Sequence, residues 1–368
     1  MQHRNKGYAI AMLRRTFLKA SSLVPAVAAM GVTPGLGQAG PPLAELADKL
    51  DVTLFSSDGL AVPLADTPTP SPFAAGLDRT LVLGGGGTYY LAWYCGLFHG
   101  LFDEGIDAPS LAEMIVGTSA GSYAGSSLAS GHFQRMRTEF DFFGHFPALF
   151  AKLAPVSEAN ASQQRAQKIN AAAEDGSVAT RRTIGHAALA ADNHVNGPAV
   201  ERLAALLTGD SKTSWPTAKM HTTAIDCYSG DRIVVSQTTA GKNNIPLAHG
   251  AAASSSLPGI IGPTLLGQRY CMDGGMCSNP AHVDLVAGSK RALIVTLNDG
   301  LKPPFLTGIP HPIGENLRQI EATGTKTLWI KADPPNVNLL NPEEILPALR
   351  VGYDRAKQEA GAIKAFWS

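Results

Sequence analysis

Apolar residues along the chain fall into short runs, and these runs keep changing between two periodicities. Thr80-Leu81-Val82-Leu83 and Met114-Ile115-Val116 are uninterrupted apolar runs closed by glycine, as strands buried on both faces would be. Similar strand signals fall at 219–225, 232–237, near 268–272, at 291–297 and at 327–331. Between them, 90–104 and 120–130 carry helical patterns, and an alanine-rich helical stretch runs from about 133 to 207. At the C-terminal end, Leu349, Tyr353, Ala356, Ala360, Ile363 and Trp367 recur at helical spacing behind Pro347, a suitable first-turn residue. That spacing predicts a helix docked on the core. Strands alternating with helices predict an α/β fold, with a mostly parallel central sheet flanked by helices. Phe140, Phe142, Phe143, Phe146, Leu149 and Phe150 form an aromatic-rich run that is expected to pack as core. Lining an acyl pocket or touching a membrane surface are the other readings of that run.

Composition narrows the class. The 368 residues are 45% hydrophobic, enough for the core of one large α/β domain. Net charge is zero and the body has no basic cluster, so nucleic acid is not an expected partner. No apolar run approaches the roughly 18 residues of a membrane-spanning helix. The 25 prolines and 38 glycines fit a loop-rich enzyme, and no internal repeat is present. Cys95, Cys227, Cys271 and Cys277 lie in apolar contexts and are expected to be buried thiols. A bridge between Cys271 and Cys277, which bracket Asp273, is the alternative.

Chemistry concentrates in three places. Gly117-Thr118-Ser119-Ala120-Gly121 follows an apolar strand and precedes a small-residue helix, which is the setting of a nucleophile elbow. Such a turn leaves no room for side chains beside the serine, and Gly117 and Gly121 accept backbone angles that other residues resist. The helix N-terminus beyond Ser119 favours negative charge. Upstream, Gly84-Gly85-Gly86-Gly87 ends a strand and presents consecutive N–H groups to an anion, either a phosphate or a tetrahedral oxyanion. A dinucleotide fingerprint fails because Tyr90 stands at its sixth position, and no Gly-Lys-Ser/Thr follows for a P-loop. Downstream, Asp273-Gly274-Gly275 closes a strand, where an aspartate can accept a proton from a hydroxyl; Asp-Gly is also a common turn pair. The histidines show no pairing at metal-ligand spacing, so no metal and no organic cofactor are expected.

Taken in order, these three motifs resemble the patatin-like phospholipase family from about Arg79 to the C-terminus. Ala252-Ala253-Ser254-Ser255-Ser256-Leu257-Pro258-Gly259 is similar to the family's small-residue helix and turn, and 224–234 to its hairpin. The resemblance implies a three-layer patatin-like fold over 79–368 and a lipid or other ester as substrate. It implies Ser119 as nucleophile and Asp273 as its partner in a two-residue dyad. Gly85, Gly86 and Gly87 would form the oxyanion loop, with the N–H of Ala120 as a further donor and Gly274 and Gly275 as turn glycines. Tyr89 and Tyr90 replace the family's usual basic residue and glycine, which removes a fixed positive charge near the loop. Two alternatives stay open: a non-catalytic lipid- or ligand-binding relative, and a Ser-His-Asp esterase of the α/β-hydrolase type using His282 or His311.

The N-terminus reads as an address. Arg14-Arg15-Thr16-Phe17-Leu18-Lys19 resembles a twin-arginine export signal, with Leu13 where Ser or Thr is usual. A mildly apolar stretch to Val32 and the small residues Gly37-Gln38-Ala39 complete a signal peptide over 1–39. The expected location is therefore periplasmic or secreted, outside a bacterial cytoplasm. Residues 40–78, with Thr67-Pro68-Thr69-Pro70-Ser71-Pro72, read as a linker that wraps the domain or stays loose.

Overall fold

Alternate residues of the central strands enter two different apolar cores, and this fixes the layering. In the computed structural model, which describes residues 58–64, 69–154, 158–193, 196–209 and 214–368, β1 (Arg79–Leu83) directs Leu81 and Leu83 to one core and Val82 to the other. β2 (Met114–Gly117) divides Ile115 from Met114 and Val116 in the same way. Both faces are dry, which is why these strands read as continuous apolar runs.

Among the described residues the sheet has eight strands. The others are β3 (Met220–Asp226), β4 (Arg232–Val235), β5 (Thr264–Leu266), β6 (Arg269–Asp273), β7 (Arg291–Thr296) and β8 (Lys326–Lys331). Their order is β5-β6-β3-β2-β1-β7-β8, with β4 paired to β3. From β3 to β8 along that order the pairing is parallel, and β4, β5 and β6 add antiparallel pairs at the other side. The expected α/β class with a mostly parallel sheet is what forms.

On one face lie α1 (Gly87–Asp103), α2 (Ala120–Ala129), α3 (Phe133–His145) and α4 (Pro147–Leu153). The chain continues through α5 (Ala161–Ala171), α6 (Val178–Ala190), α7 (Asn196–Leu207), α8 (Gln237–Asn243) and α9 (Leu247–Ser254). α10 (Ile313–Glu321) covers the opposite face with Ile313, Leu317 and Ile320. The C-terminal α11 (Ile345–Trp367) lies against α1 so closely that a Cβ on Gly100 would stand 2.6 Å from the Cβ of Ala356. That is the core-docking helix its spacing predicts. β5, α8 and α10, three to nine residues long, fall between the segments read from the sequence.

The signal-peptide reading of 1–39 and the first part of the 40–78 stretch lie outside the described residues. The described parts of that stretch wrap the domain: Leu60 is fully buried, Ala61 bridges to Ile233, and Val62 N–H donates to the Arg232 carbonyl at 2.9 Å. Arg269 is buried between Asp58 and Asp226, at 2.6 and 2.9 Å. No helix among the described residues is long and apolar enough to cross a membrane.

Candidate active site

The site is assembled where strands end. β2 stops at Gly117, which pairs with Thr222 of β3; β6, running antiparallel, stops at Asp273, which pairs with Ala224. One strand, β3, therefore separates the strand that delivers Ser119 from the strand that delivers Asp273, and their partners on it are two positions apart. The glycine run leaves the C-terminal end of β1, next to β2, so all three motifs meet at the carboxyl edge of the parallel strands, where open α/β sheets form their clefts.

Ser119 is buried and carries φ 51° and ψ −119°, a conformation that costs a non-glycine residue energy. Strain thus falls on the serine itself, while Gly117 and Gly121, neither of which has a positive φ, serve the closeness also expected of them. A Cβ at Gly117 would lie 2.5 Å from the Gly121 carbonyl oxygen, and one at Gly121 would overlap the Leu83 carbonyl. The Ser119 N–H donates to Ser254 Oγ at 2.9 Å, and Ser122 Oγ donates to the Ser119 carbonyl at 2.6 Å. Gly85 runs directly past the serine: a Cβ there would be 2.9 Å from Ser119 Cβ. Gly87 has φ +66°, which lets the loop turn into α1. Among the described residues, the N–H groups of Gly85, Gly86, Gly87 and Ala120 donate to no protein acceptor. They are the donors an oxyanion at this place could use.

Asp273 is buried, and burial raises its pKa to about 6, against the lowering effect of the Gly275 N–H and the Ser119 hydroxyl. Its Oδ1 accepts from Gly275 N–H at 2.7 Å. Oδ2 has no partner in hydrogen-bond geometry, although the Ser119 hydroxyl is close enough to favour the ionised carboxylate. Gly274 sits against β3, where a Cβ would be 2.5 Å from the Thr223 carbonyl oxygen.

Sequence reading missed the clamp between these two loops. Ser254 holds Ser119 through its side chain and the Gly274 N–H through its own carbonyl, at 3.2 Å. The Ser256 carbonyl accepts the Asp273 N–H at 3.0 Å. The small-residue segment was legible, but a serine run gives no sign of which hydroxyl will be used.

Two cavities adjoin Ser119. One, of about 230 Å³, is lined by apolar groups including Leu91, Tyr123, Phe150, Leu203 and Ile260. The other, of about 70 Å³, lies between the glycine loop, Asp273 and the segment 296–313, and includes His311. Tyr89 and Tyr90 line neither; both are buried in the core beneath the loop, with the Tyr90 ring centred 4.2 Å from that of Tyr94 and tilted against it. His282 is buried too. Its Nε2–H donates to the Gly274 carbonyl at 2.8 Å, and burial lowers its pKa to about 3. It braces the Asp273 loop as a neutral ring. His311 bonds through Nδ1 to the Ile309 carbonyl at 2.7 Å, and not to a carboxylate. All four cysteines are free and buried, as expected.

The aromatic run divides. Phe140, Phe143 and Phe150 are core, with Phe150 also lining the large cavity. Phe142, Phe146, Leu149 and Leu153 are exposed on the outer side of α3 and α4, with Phe142 and Phe146 rings 4.8 Å apart. Among the described residues no group of three or more His, Cys, Asp or Glu side chains is disposed to hold a metal.

Comparison with known proteins agrees with the motifs. A family model described as patatin-like phospholipase matches residues 81–285. No curated protein matches significantly. Among solved structures, VipD from Legionella pneumophila is similar with TM-score 0.39 and 14% identity, over 85% of this chain and 73% of that one. The type III effector protein ExoU gives TM-score 0.33 and 17% identity, over 82% of this chain and 56% of that one. The ExoU–SpcU complex from Pseudomonas aeruginosa gives TM-score 0.32 and 15% identity, over 92% and 61%. The chain thus spans between about half and three quarters of the length of these proteins. Because the family model covers more than half of its residues, this chain belongs to the patatin-like phospholipase family, and that membership supports a lipid acyl hydrolase activity.

Proposed function

We propose that the protein cleaves carboxylic esters of lipids by covalent catalysis at Ser119, with Asp273 as its general base. The observation that carries this reading is a strained, buried serine beside a buried carboxylate whose Oδ2 has no other partner. Asp273 takes the proton from Ser119 Oγ, and Oγ attacks the ester carbonyl. The oxyanion is held by backbone N–H groups from Gly85, Gly86, Gly87 and Ala120. The carbonyl re-forms, the ester C–O bond breaks, and the alcohol leaves with the proton from Asp273. Water, deprotonated by Asp273, then releases the acid from the acyl-enzyme. A carboxylate with a pKa near 6 is a stronger base than an ordinary one, and the fixed N–H donors supply the remaining stabilisation.

A triad would need a histidine whose Nδ1–H is held by a carboxylate and whose Nε2 faces the serine. His282 and His311 both use a ring nitrogen on a backbone carbonyl instead, which favours the dyad. Burial of Tyr89 and Tyr90 away from the cavities removes the reason for a non-catalytic site. Labelling with a fluorophosphonate probe followed by peptide mapping tests the proposal. Modification should map to Ser119, and Ser119→Ala should lose both labelling and several orders of magnitude in ester hydrolysis with little change in thermal midpoint. A variant that keeps a tenth of the activity would reject the assignment.

The exposed apolar ridge of α3 and α4 supports transient contact with a membrane surface, because the same helix lines the acyl-sized cavity with Phe150. The Arg14-Arg15 signal supports export of the folded protein.

A further inference from the structure

The space beside Ser119 is divided into two parts of different chemistry. The cavity of about 230 Å³ has no charged side chain among its lining residues, and Leu257 lines it together with the smaller chamber. The chamber, at about 70 Å³, is the smaller of the two. Apart from Asp273 and His311 it has no ionisable lining residue, and no lysine or arginine lines either space.

Apart from Ser119 and Asp273, the chamber's polar side chains are nearly all engaged. Thr296 Oγ1 donates to the Asn298 carbonyl at 2.9 Å and accepts from Trp329 Nε1 at 2.8 Å. Asn298 Nδ2 donates to the carbonyls of Lys302 and Pro304 at 3.0 and 3.2 Å, while its Oδ1 accepts the Gly300 N–H at 2.9 Å. Thr307 Oγ1 donates to Asn170 Oδ1 at 2.8 Å and accepts the Ile309 N–H at 3.3 Å. His311 differs. Its Nδ1 meets a carbonyl, so Nδ1 carries the hydrogen and the neutral ring keeps Nε2 as an acceptor. Nε2 has no partner, and the ring is fixed edge-on against Phe305 at 5.7 Å. The Gly300 backbone packs on the His311 carbonyl, which holds the loop that carries it.

We propose that this chamber is the alcohol subsite of the ester whose acyl chain fills the apolar cavity. The alcohol is small, uncharged and hydroxylated, and His311 Nε2 accepts a hydrogen bond from its free hydroxyl. This rests on the hydrolase reading above and names its substrate class: a monoester of a glycerol-like polyol. A phosphodiester head group would instead bring an anion beside the Asp273 carboxylate with no cation among the lining residues, an arrangement that desolvated charges do not tolerate.

The test compares kcat/KM for an octanoyl monoglyceride, methyl octanoate and an octanoyl lysophospholipid. The wild type should prefer the glycerol ester over the methyl ester by about tenfold, the equivalent of one hydrogen bond to the substrate. His311→Phe should lower that ratio about tenfold through KM, and His311→Gln, which restores an acceptor, should recover most of it. A ratio unchanged by His311→Phe overturns the proposal. So does a lysophospholipid that outpaces the glycerol ester, or a loss of kcat on all esters that would make His311 part of the catalytic machinery. If His311→Phe does not fold, the wild-type ranking alone decides. Fluorophosphonate labelling in the same preparation separates the two levels. Labelled Ser119 with the wrong ranking rejects the subsite alone, whereas no labelling and no turnover on any ester rejects the hydrolase as well.

Discussion

At the scale of single residues, Asp273 carries opposing demands. Burial disfavours its charge and raises its pKa from 3.8 to about 6, while the proposed reaction needs that charge. kcat/KM for a neutral ester should therefore fall about tenfold per pH unit below roughly 6 and level off above it. A profile that stays flat down to pH 4 would remove Asp273 from the base role. Stability follows the opposite direction. Between pH 4 and pH 6 the unfolded chain loses the Asp273 proton before the folded chain does, so stability present below about pH 4 is lost as pH rises through the folded pKa. Asp273→Asn removes that loss, and its unfolding free energy should gain on the wild type from pH 4 to pH 8, by on the order of 1–3 kcal/mol. Tyr89 shows how a family departure can be absorbed. With its ring in the core, the position carries packing and not head-group charge.

At the scale of elements, the site depends on a joint between the end of α9 and the turns that carry Ser119 and Asp273. Ser254 satisfies one N–H in each turn. Ser254→Ala keeps the carbonyl bond to Gly274 and leaves the Ser119 N–H without its acceptor, at a cost of about 1–3 kcal/mol. Activity should drop by at least tenfold, because a displaced nucleophile loses alignment with the carbonyl. Normal kcat with an unchanged melting curve would show that water replaces the hydroxyl freely. The paired helices α3 and α4 make a separate prediction. Phe142→Ser with Phe146→Ser should weaken hydrolysis of vesicle-borne lipid by about tenfold, since two aromatic rings leave the interface, and should spare a water-soluble ester. Equal effects on both substrates would make the ridge structural.

At the scale of the whole molecule, the strands carry apolar residues on both faces because helices cover both, and the turns of the candidate site collect at one edge because parallel strands end together. We propose that the N-terminal segment is an export address. Replacing Arg14 and Arg15 by lysine should hold the precursor in the cytoplasm, read by cell fractionation. Unaltered export would leave the pair without that role.

Short-range chemistry was legible in the linear chain. Ser119 before a helix, four glycines after Leu83 and Asp273 before two glycines state their turns locally, because steric closeness and strand termination act over a few residues. The α/β alternation and the C-terminal helix were equally readable from period. Distances in sequence hid the rest. Only the antiparallel entry of β6 beside β3 brings Asp273 to Ser119, and only packing decides that Ser254 clamps both turns. Tertiary structure also turned Tyr89 inward, spent Nε2 of His282 on a loop, and left His311 Nε2 unpartnered at a chamber wall. Burial and hydrogen-bond pairing are set by residues from distant segments, so no local pattern records them.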